Sequence, residues 1–133
     1  MKNILVCLMF YAIIVPFAAK SQASLHFRLG SLEPTKYDTK SVITLEHILK
    51  NKRLTTSSEN IKITGYSFSL LPDGAEFIGP YQVQGDSLTD KVVSEIRSCR
   101  SGRICIDHIN YEAHHEKFVD KVDNLVYKYR KGE

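Results

Sequence analysis

The chain has 133 residues, of which 43% are hydrophobic, so it can build one hydrophobic core and a single domain rather than two. Its 18 basic residues barely outnumber its 15 acidic ones. This balance gives no electrostatic reason to expect binding to nucleic acid or to an acidic membrane surface.

The N-terminal segment has the pattern of a secretory signal peptide. Lys2 precedes an almost wholly apolar run over residues 4–19, and Ser21-Gln22-Ala23 places small residues at the two positions that signal peptidase recognises. We expect cleavage after Ala23, which defines residues 1–23 as the signal peptide. A retained membrane anchor is the alternative, but the apolar run is short for a hydrocarbon layer about 30 Å thick.

Cleavage would leave an exported domain with no stable membrane anchor. Loss of Lys2 and Lys20 reduces the net charge from +3 to +1. The periplasm is the expected location, with secretion or a cell-surface position as alternatives. We divide this part into an N-terminal strand and loop, residues 24–42, and a main domain, residues 43–133.

The beginning of the exported domain predicts a strand, a loop and a short helix. Apolar and polar residues alternate over residues 25–29, which is typical of a half-buried strand. Residues 30–40 are polar and predict a loop. Thr44 is placed to cap a helix that ends near Asn51 and whose apolar stripe is formed by Leu45, Ile48 and Leu49.

A β-hairpin is predicted next. The apolar positions of residues 61–71 change phase after Gly65, and a period of two can change phase only through an inserted residue, so Gly65 predicts a β-bulge. Pro72-Asp73-Gly74 is typical of a tight turn. In the returning strand Pro80 has no amide hydrogen, so this strand lies at a sheet edge or is interrupted at Gly79-Pro80.

The remaining residues predict a helix and two strands. Ser87 and Asp90 resemble a capping box at the start of the helix, and Gly102 is placed to end it. Residues 103–113 and 122–129 predict two strands joined by a polar turn. The order β-α-β-β-α-β-β, with about five strands, favours an α+β fold in which two short helices pack on a mainly antiparallel sheet.

Residues 43–130 resemble the C-terminal domain of the gliding-motility protein M (GldM) family. The resemblance is carried by aromatic residues in a central strand, a turn glycine, an arginine-rich passage after a helix and an isoleucine-rich strand. The matching positions are Tyr66, Phe68, Gly74, Leu88, Ile96, Arg97, Arg100, Gly102, Arg103, Ile104, Ile106 and Ile109.

This resemblance implies a bacterial cell-envelope protein from an organism with gliding-motility or type IX secretion machinery. The domain would here stand alone as an exported unit. The family implies action by contact with another protein, and it supplies no catalytic residue to transfer.

Cys99 and Cys105 remain after signal cleavage, in a compartment that permits disulfides. One interpretation is a disulfide that pins the helix to the following strand. The alternative is two buried thiols. Helical periodicity turns Cys99 inward, whereas Cys105 alternates with Ile104 and Ile106 and can therefore face the opposite side of the sheet.

The densest group of potential metal ligands lies between residues 107 and 120. Zinc requires three or four converging donors, and adjacent histidines in a turn project in different directions. A solvated turn is therefore the favoured interpretation, and no cofactor is expected. The alternative is a small metal-dependent hydrolase built around His108 and His114, with further candidate ligands Glu112 and His115.

An interaction surface is predicted on the strand that contains Gly79-Pro80. Phe77, Ile78 and Tyr81 place apolar side chains on both faces of a predicted edge strand, which favours a covering partner. The partner would be another envelope protein or a second copy of this chain. The alternative is that a helix or the N-terminal segment of the chain itself covers this strand. No nucleophile motif or phosphate-binding loop occurs, so the chain is predicted to be non-catalytic.

Overall fold

The computed structural model describes residues 25–34, 42–121 and 124–132. The predicted signal peptide and its cleavage site lie outside these residues. Within the described ranges no helix is both long enough and apolar enough to cross a membrane.

Over these described ranges the fold consists of a six-stranded sheet, a two-stranded sheet and two short helices. The elements in chain order are β1 (Phe27–Leu29), β2 (Ile43–Thr44), α1 (Leu45–Lys50), β3 (Leu54–Thr56), β4 (Ile61–Pro72), β5 (Ile78–Gln84), α2 (Asp90–Arg97), β6 (Ser101–Ala113), β7 (Glu116–Asp120) and β8 (Leu125–Arg130).

The large sheet has the order β2-β8-β6-β4-β5, with β7 also paired to β6, and β1 pairs with β3 in the small sheet. Every strand pair is antiparallel except β2 with β8. The predicted α+β class, with two short helices and a mainly antiparallel sheet, is confirmed.

One face of the large sheet carries the hydrophobic core. Tyr66, Phe68 and Leu70 alternate along β4 and are fully buried, as are Ile104 and Ile106 opposite them on β6. The helices and the β1–β3 sheet supply the other half of the core, through residues such as Leu29, Ile48, Leu54, Val92 and Ile96. The fold is therefore two-layered, and the opposite face of the large sheet carries smaller and more polar residues.

Two irregularities bend the central β4–β6 pair. Ile63 pairs with Tyr111 but Gly65 pairs with the adjacent Asn110, so β4 has an extra residue there and the predicted bulge at Gly65 is confirmed. The second irregularity is on β6: Gly65 pairs with Asn110 and Ser67 pairs with Asp107, so β6 has one extra residue between these pairs. It contains His108, whose φ of 47° is in the left-handed region.

Three buried tyrosines attach the covering layer to the sheet. The hydroxyl of Tyr66 donates to the carbonyl of Ser87 at 2.8 Å, before α2, and that of Tyr129 donates to the carbonyl of Ile96 at 3.1 Å, within α2. The third, Tyr127, donates to the Leu32 carbonyl at 2.9 Å and accepts from the Leu29 N–H at 2.8 Å. Each ring therefore packs in the core while its hydroxyl forms hydrogen bonds with backbone groups of the covering layer.

Replacement of Tyr127 by phenylalanine should lower the free energy of unfolding by about 1–2 kcal/mol, because it leaves the buried Leu29 N–H without its acceptor. Burial raises the pKa of Tyr127 to about 12, although the bond from Leu29 acts in the opposite direction. The pKa of Tyr127 is therefore higher in the folded chain than in the unfolded chain. The contribution of its protonated hydroxyl to the free energy of unfolding is complete below about pH 10 and is lost as the pH rises through about 12.

Urea unfolding of Tyr127→Phe and of the unmodified chain, at neutral pH and near pH 11, measures both effects. The gap between the two proteins should shrink at the higher pH. An equal free energy of unfolding at neutral pH would contradict the role given to this hydroxyl.

Helix α2 begins two residues later than the capping-box pattern predicts. The cap is Thr89, whose hydroxyl accepts from the Val92 N–H at 3.3 Å, and Ser87 instead forms a β-bridge with Arg53. The preceding chain is held extended because Leu88 N–H donates to the Lys52 carbonyl at 2.7 Å. The prediction of Ser87 as the cap was therefore wrong, since pairing with a distant segment displaced the helix start.

Gly102 does not end this helix. The helix ends at Arg97 with Ser98 as its cap, and Gly102 lies within β6, opposite Pro72 and Tyr129. A Cβ at Gly102 would lie 2.6 Å from the carbonyl oxygen of Leu71. The glycine is therefore explained by the close approach of β4 and β6, and its predicted role at the helix end was wrong.

Three short strands were absent from the predicted order. Strands β2 and β3 have only two and three residues, which is too short for an alternation of apolar and polar residues to be recognised in the sequence. Strand β7 begins directly after His114-His115, so the predicted polar turn is shorter than expected. The hairpin is closed by stacking of Tyr111 on Phe118, whose ring centroids are 5.4 Å apart.

Candidate functional site

Strand β5 forms one edge of the large sheet, as the sequence predicts. It pairs with β4 on one side, and within the described residues no strand pairs with its other side. The ladder is irregular at Gly79-Pro80, where the peptide bond is cis and the φ of Gly79 is +104°. Of the two predicted alternatives, the edge position is confirmed; at Gly79-Pro80 the strand continues with a shift in register.

The apolar side chains of β5 do not occupy both faces, contrary to the prediction. Ile78 pairs with Leu70 and Tyr81 pairs with Phe68, so Gly79 and Pro80 together oppose the one residue between them on β4. This extra residue brings Ile78 and Tyr81 to the core face, where both are half-buried against the core. The chain's own core therefore covers these two side chains.

Phe77 is the member of the predicted group that stays in contact with solvent. It precedes β5 and is 53% exposed. Leu71, which is 44% exposed, lies at the same end of the hairpin, because the neighbouring Leu70 pairs with Ile78. The exposed apolar surface is therefore at the hairpin end and does not extend along the strand.

A groove lies between β5 and the start of α2. It has a volume of about 250 Å³, and its walls are β5 residues 81–84 and the start of α2, namely Thr89, Lys91 and Val92. The Lys91 ammonium lies 4.4 Å from the centre of the Tyr81 ring, a cation–π contact. The groove thus has an apolar floor, at Val83 and Val92, and a positive charge at its rim.

The backbone of β5 in this groove is available for pairing. Gly85 N–H donates to the Thr64 carbonyl at 2.7 Å. In an antiparallel ladder every second residue directs its N–H and C=O groups to the same neighbouring strand, so the backbone groups of Val83 and Tyr81 also point toward β4. The N–H and C=O groups of Gln82 and Gln84 then point toward the free side. Their side chains are exposed, and among the described residues no strand pairs with this edge.

The sequence patterns alone do not mark Gln82, Gln84, Lys91 and Val92 as parts of this site. A signal was present for the glutamines, since they alternate with the buried Val83 on a strand already predicted to be an edge. No signal in the sequence placed the first turn of α2 beside that strand.

The candidate metal ligands are dispersed. His108 lies at the bulge of β6, with its Nδ1 atom 3.3 Å from Asp107 Oδ1, and His114 and His115 form the turn at the far end of that strand. Extended backbone rises about 3.3 Å per residue, so the bulge and the turn are roughly 15–20 Å apart. No three His, Cys, Asp or Glu residues of the described ranges are grouped to hold a metal ion, and Glu112 completes no such group.

The two adjacent histidines instead have a conformational role. His114 and His115 have φ values of 52° and 65°, and they connect Ala113 to its ladder partner Glu116. A two-residue hairpin loop with positive φ at both positions favours Asn-Gly, because other side chains are strained there. The double substitution His114→Asn and His115→Gly should therefore stabilise the protein by about 1 kcal/mol.

Thermal unfolding of this double variant measures the effect. The substitution His26→Asn at an exposed position that precedes β1 serves as a control and should leave the melting temperature nearly unchanged. A lower melting temperature for the double variant would show that the imidazole rings make contacts that the turn requires.

Cys99 and Cys105 are free thiols, so the structure does not contain the predicted disulfide. Cys99 packs against the core on the helix side of the sheet, whereas Ile104 and Ile106 face that core and turn Cys105 to the other side. Of the two interpretations, free thiols are the one that the structure has. Burial, together with the charge of Asp107, raises the pKa of Cys105, which makes this thiol less reactive.

Comparisons with protein-family models, with curated proteins and with solved structures found no match to this chain. The resemblance to the gliding-motility protein M family stays a prediction from the motifs.

Proposed function

We propose that this chain is a non-catalytic, exported protein-interaction module of the bacterial cell envelope. It binds an extended segment of another envelope protein, which adds as a strand to the free side of β5. The signal-peptide pattern and the resemblance to the gliding-motility protein M family support the exported, envelope-associated part of this proposal. The periplasm is the proposed location.

The observation that carries the proposal is the combination of an unpaired strand edge with a groove beside it. Gln82 and Gln84 direct two N–H and two C=O groups toward the free side of β5, and both residues also line the groove formed with α2. An added strand would pair with these groups, and pairing of this kind supplies affinity that does not depend on sequence. Side-chain pockets beside the edge supply specificity.

The groove suggests what the bound segment contains. An apolar side chain of the segment would pack beside Tyr81 and Val83, and a carboxylate would approach Lys91. Pro80 has no N–H and cannot donate a hydrogen bond to an added strand, so pairing is centred on residues 82–84.

A free segment of a different protein fits this site better than a second copy of the chain. Pairing of two β5 edges would bring a second α2 and a second Lys91 to the same narrow groove. Like charges at that distance oppose association.

Site-specific photocrosslinking in the native organism tests the proposal. A benzoylphenylalanine is incorporated in place of Gln84, beside the free edge, and in place of Lys62 as an exposed control. We expect a crosslink to an extended segment of an exported or membrane protein from position 84 and not from position 62. Mass spectrometry identifies the segment.

Absence of any crosslink specific to position 84 would contradict the proposal. A crosslink to a second copy of the chain would replace it with self-association through the same edge. Stoichiometric metal together with hydrolase activity of the purified protein would favour the alternative centred on His108 and His114.

A further inference from the structure

A second site is present at the opposite end of α2 from the β5 groove. An open cleft of about 830 Å³ is formed by the end of α2, the connection to β6 and the end of β8. Four of its lining residues are cations, namely Arg97, Arg100, Arg130 and Lys131, and two are serines, Ser98 and Ser101.

Among the residues that the structure describes, no carboxylate lines this cleft. Within the described part of the chain, no carboxylate forms an ion pair with any of these four cations. Asp73 is held by the Ser101 hydroxyl at 2.8 Å, but it lines an adjoining cleft and does not line this one. The chain as a whole is nearly balanced in charge, so this concentration of cations is local.

Stabilisation of the helix end explains only part of the cluster. Basic residues near a helix C-terminus interact favourably with its dipole, and Lys131 Nζ donates to the Arg97 carbonyl at 3.4 Å. Arg130, however, comes from β8, where it pairs with Ser101 at the sheet end. Strand β8 therefore contributes a guanidinium group that is not needed to stabilise the end of α2.

We infer that this cleft binds a phosphorylated ligand that carries two phosphate groups. Planar guanidinium groups bind phosphate oxygens through two parallel hydrogen bonds, and three arginines line the cleft. Two phosphate groups carry together about three to four negative charges near neutral pH, which matches the four cations. Such groups occur both in soluble diphosphates and in lipid head groups.

Titration calorimetry with two probes tests this inference and distinguishes the two sources. The first probe is inorganic pyrophosphate, and the second is a phosphatidylcholine vesicle that contains diacylglycerol pyrophosphate, a lipid whose head group has two phosphate groups. The full chain is compared with the double variant Arg97→Gln and Arg130→Gln. The control double variant, Arg28→Gln and Lys62→Gln, removes the same charge from residues that do not line the cleft.

We expect the cleft variant to bind at least one probe about tenfold more weakly, since each guanidinium supplies charge-assisted hydrogen bonds. The control should change affinity less than about twofold, because distant charges are screened. Binding of pyrophosphate identifies a soluble ligand, and binding of the vesicle alone identifies a lipid head group.

The inference is overturned if neither probe binds, or if the control weakens binding as much as the cleft variant does. Arg100→Gln, a single change in the connection to β6, provides a second test should the double variant unfold. Crosslinking from position 84 is an independent readout, because the two sites lie at opposite ends of α2.

Discussion

Replacement of Gln82 by proline is expected to reduce binding of the partner segment by at least about tenfold and to leave the domain folded. Proline removes the N–H group that Gln82 directs toward the free side of β5, and it places a ring where the added strand would pair. The ladder with β4 does not use that N–H, and proline is tolerated at such positions of edge strands.

The matched control is Gln82→Ala, which removes the side chain and keeps the backbone groups. Crosslinking from position 84 should persist in the alanine variant and disappear in the proline variant. Circular dichroism spectra and melting temperatures of the two variants establish that both are folded. Equal loss in both would show that the partner recognises the glutamine side chain, and persistence in both would contradict strand addition.

Replacement of Gly102 by alanine is expected to destabilise the domain by about 3 kcal/mol. The added Cβ would lie 2.6 Å from the Leu71 carbonyl oxygen and 3.0 Å from the Pro72 Cα atom, and both contacts are with backbone. Strands β4 and β6 would have to separate at this end of the sheet. Urea unfolding measures the change.

Two further variants identify the cause of this effect. A Cβ at Gly132 meets no atom within 4 Å, so Gly132→Ala should be nearly neutral. Gly102→Asn should be at least as damaging as Gly102→Ala. Asparagine tolerates the left-handed conformation of a helix end, so recovery of stability in Gly102→Asn would favour the helix-end role instead.

The local features of the fold could be predicted because neighbouring residues determine them. Thr44 accepts from the His47 N–H and caps α1, as expected, and the phase change at Gly65 located the bulge. The turn at Asp73-Gly74 has the positive φ of Gly74 that its residues predict. Each of these features depends on a few consecutive side chains.

The errors arose where distant segments decide the structure. The helix start moved from Ser87 to Thr89 because residues near Arg53 pair with the preceding chain. The local sequence predicts a helix end at Gly102, because it contains no sign of the contact between Gly102 and Leu71. The same applies to β7, whose pairing with β6 depends on the turn at residues 114–115.

The candidate site was only partly predictable for the same reason. Pro80 by itself indicates an edge strand, because it lacks the N–H that a central strand needs, and the edge position is confirmed. The extra residue at Gly79-Pro80, which turns both Ile78 and Tyr81 to the core, depends on the register with β4. The groove also requires the first turn of α2, whose position follows from packing of the core.

Hydrogen exchange of individual amides, followed by NMR, tests strand addition at β5 most directly. The protein is measured alone and with a synthetic peptide of the segment crosslinked from position 84. The peptide should slow exchange at Gln82 and Gln84, which face the groove, and leave Val83 nearly unchanged, because it already pairs with β4. Unchanged exchange at both glutamines in the saturated complex would contradict binding by strand addition.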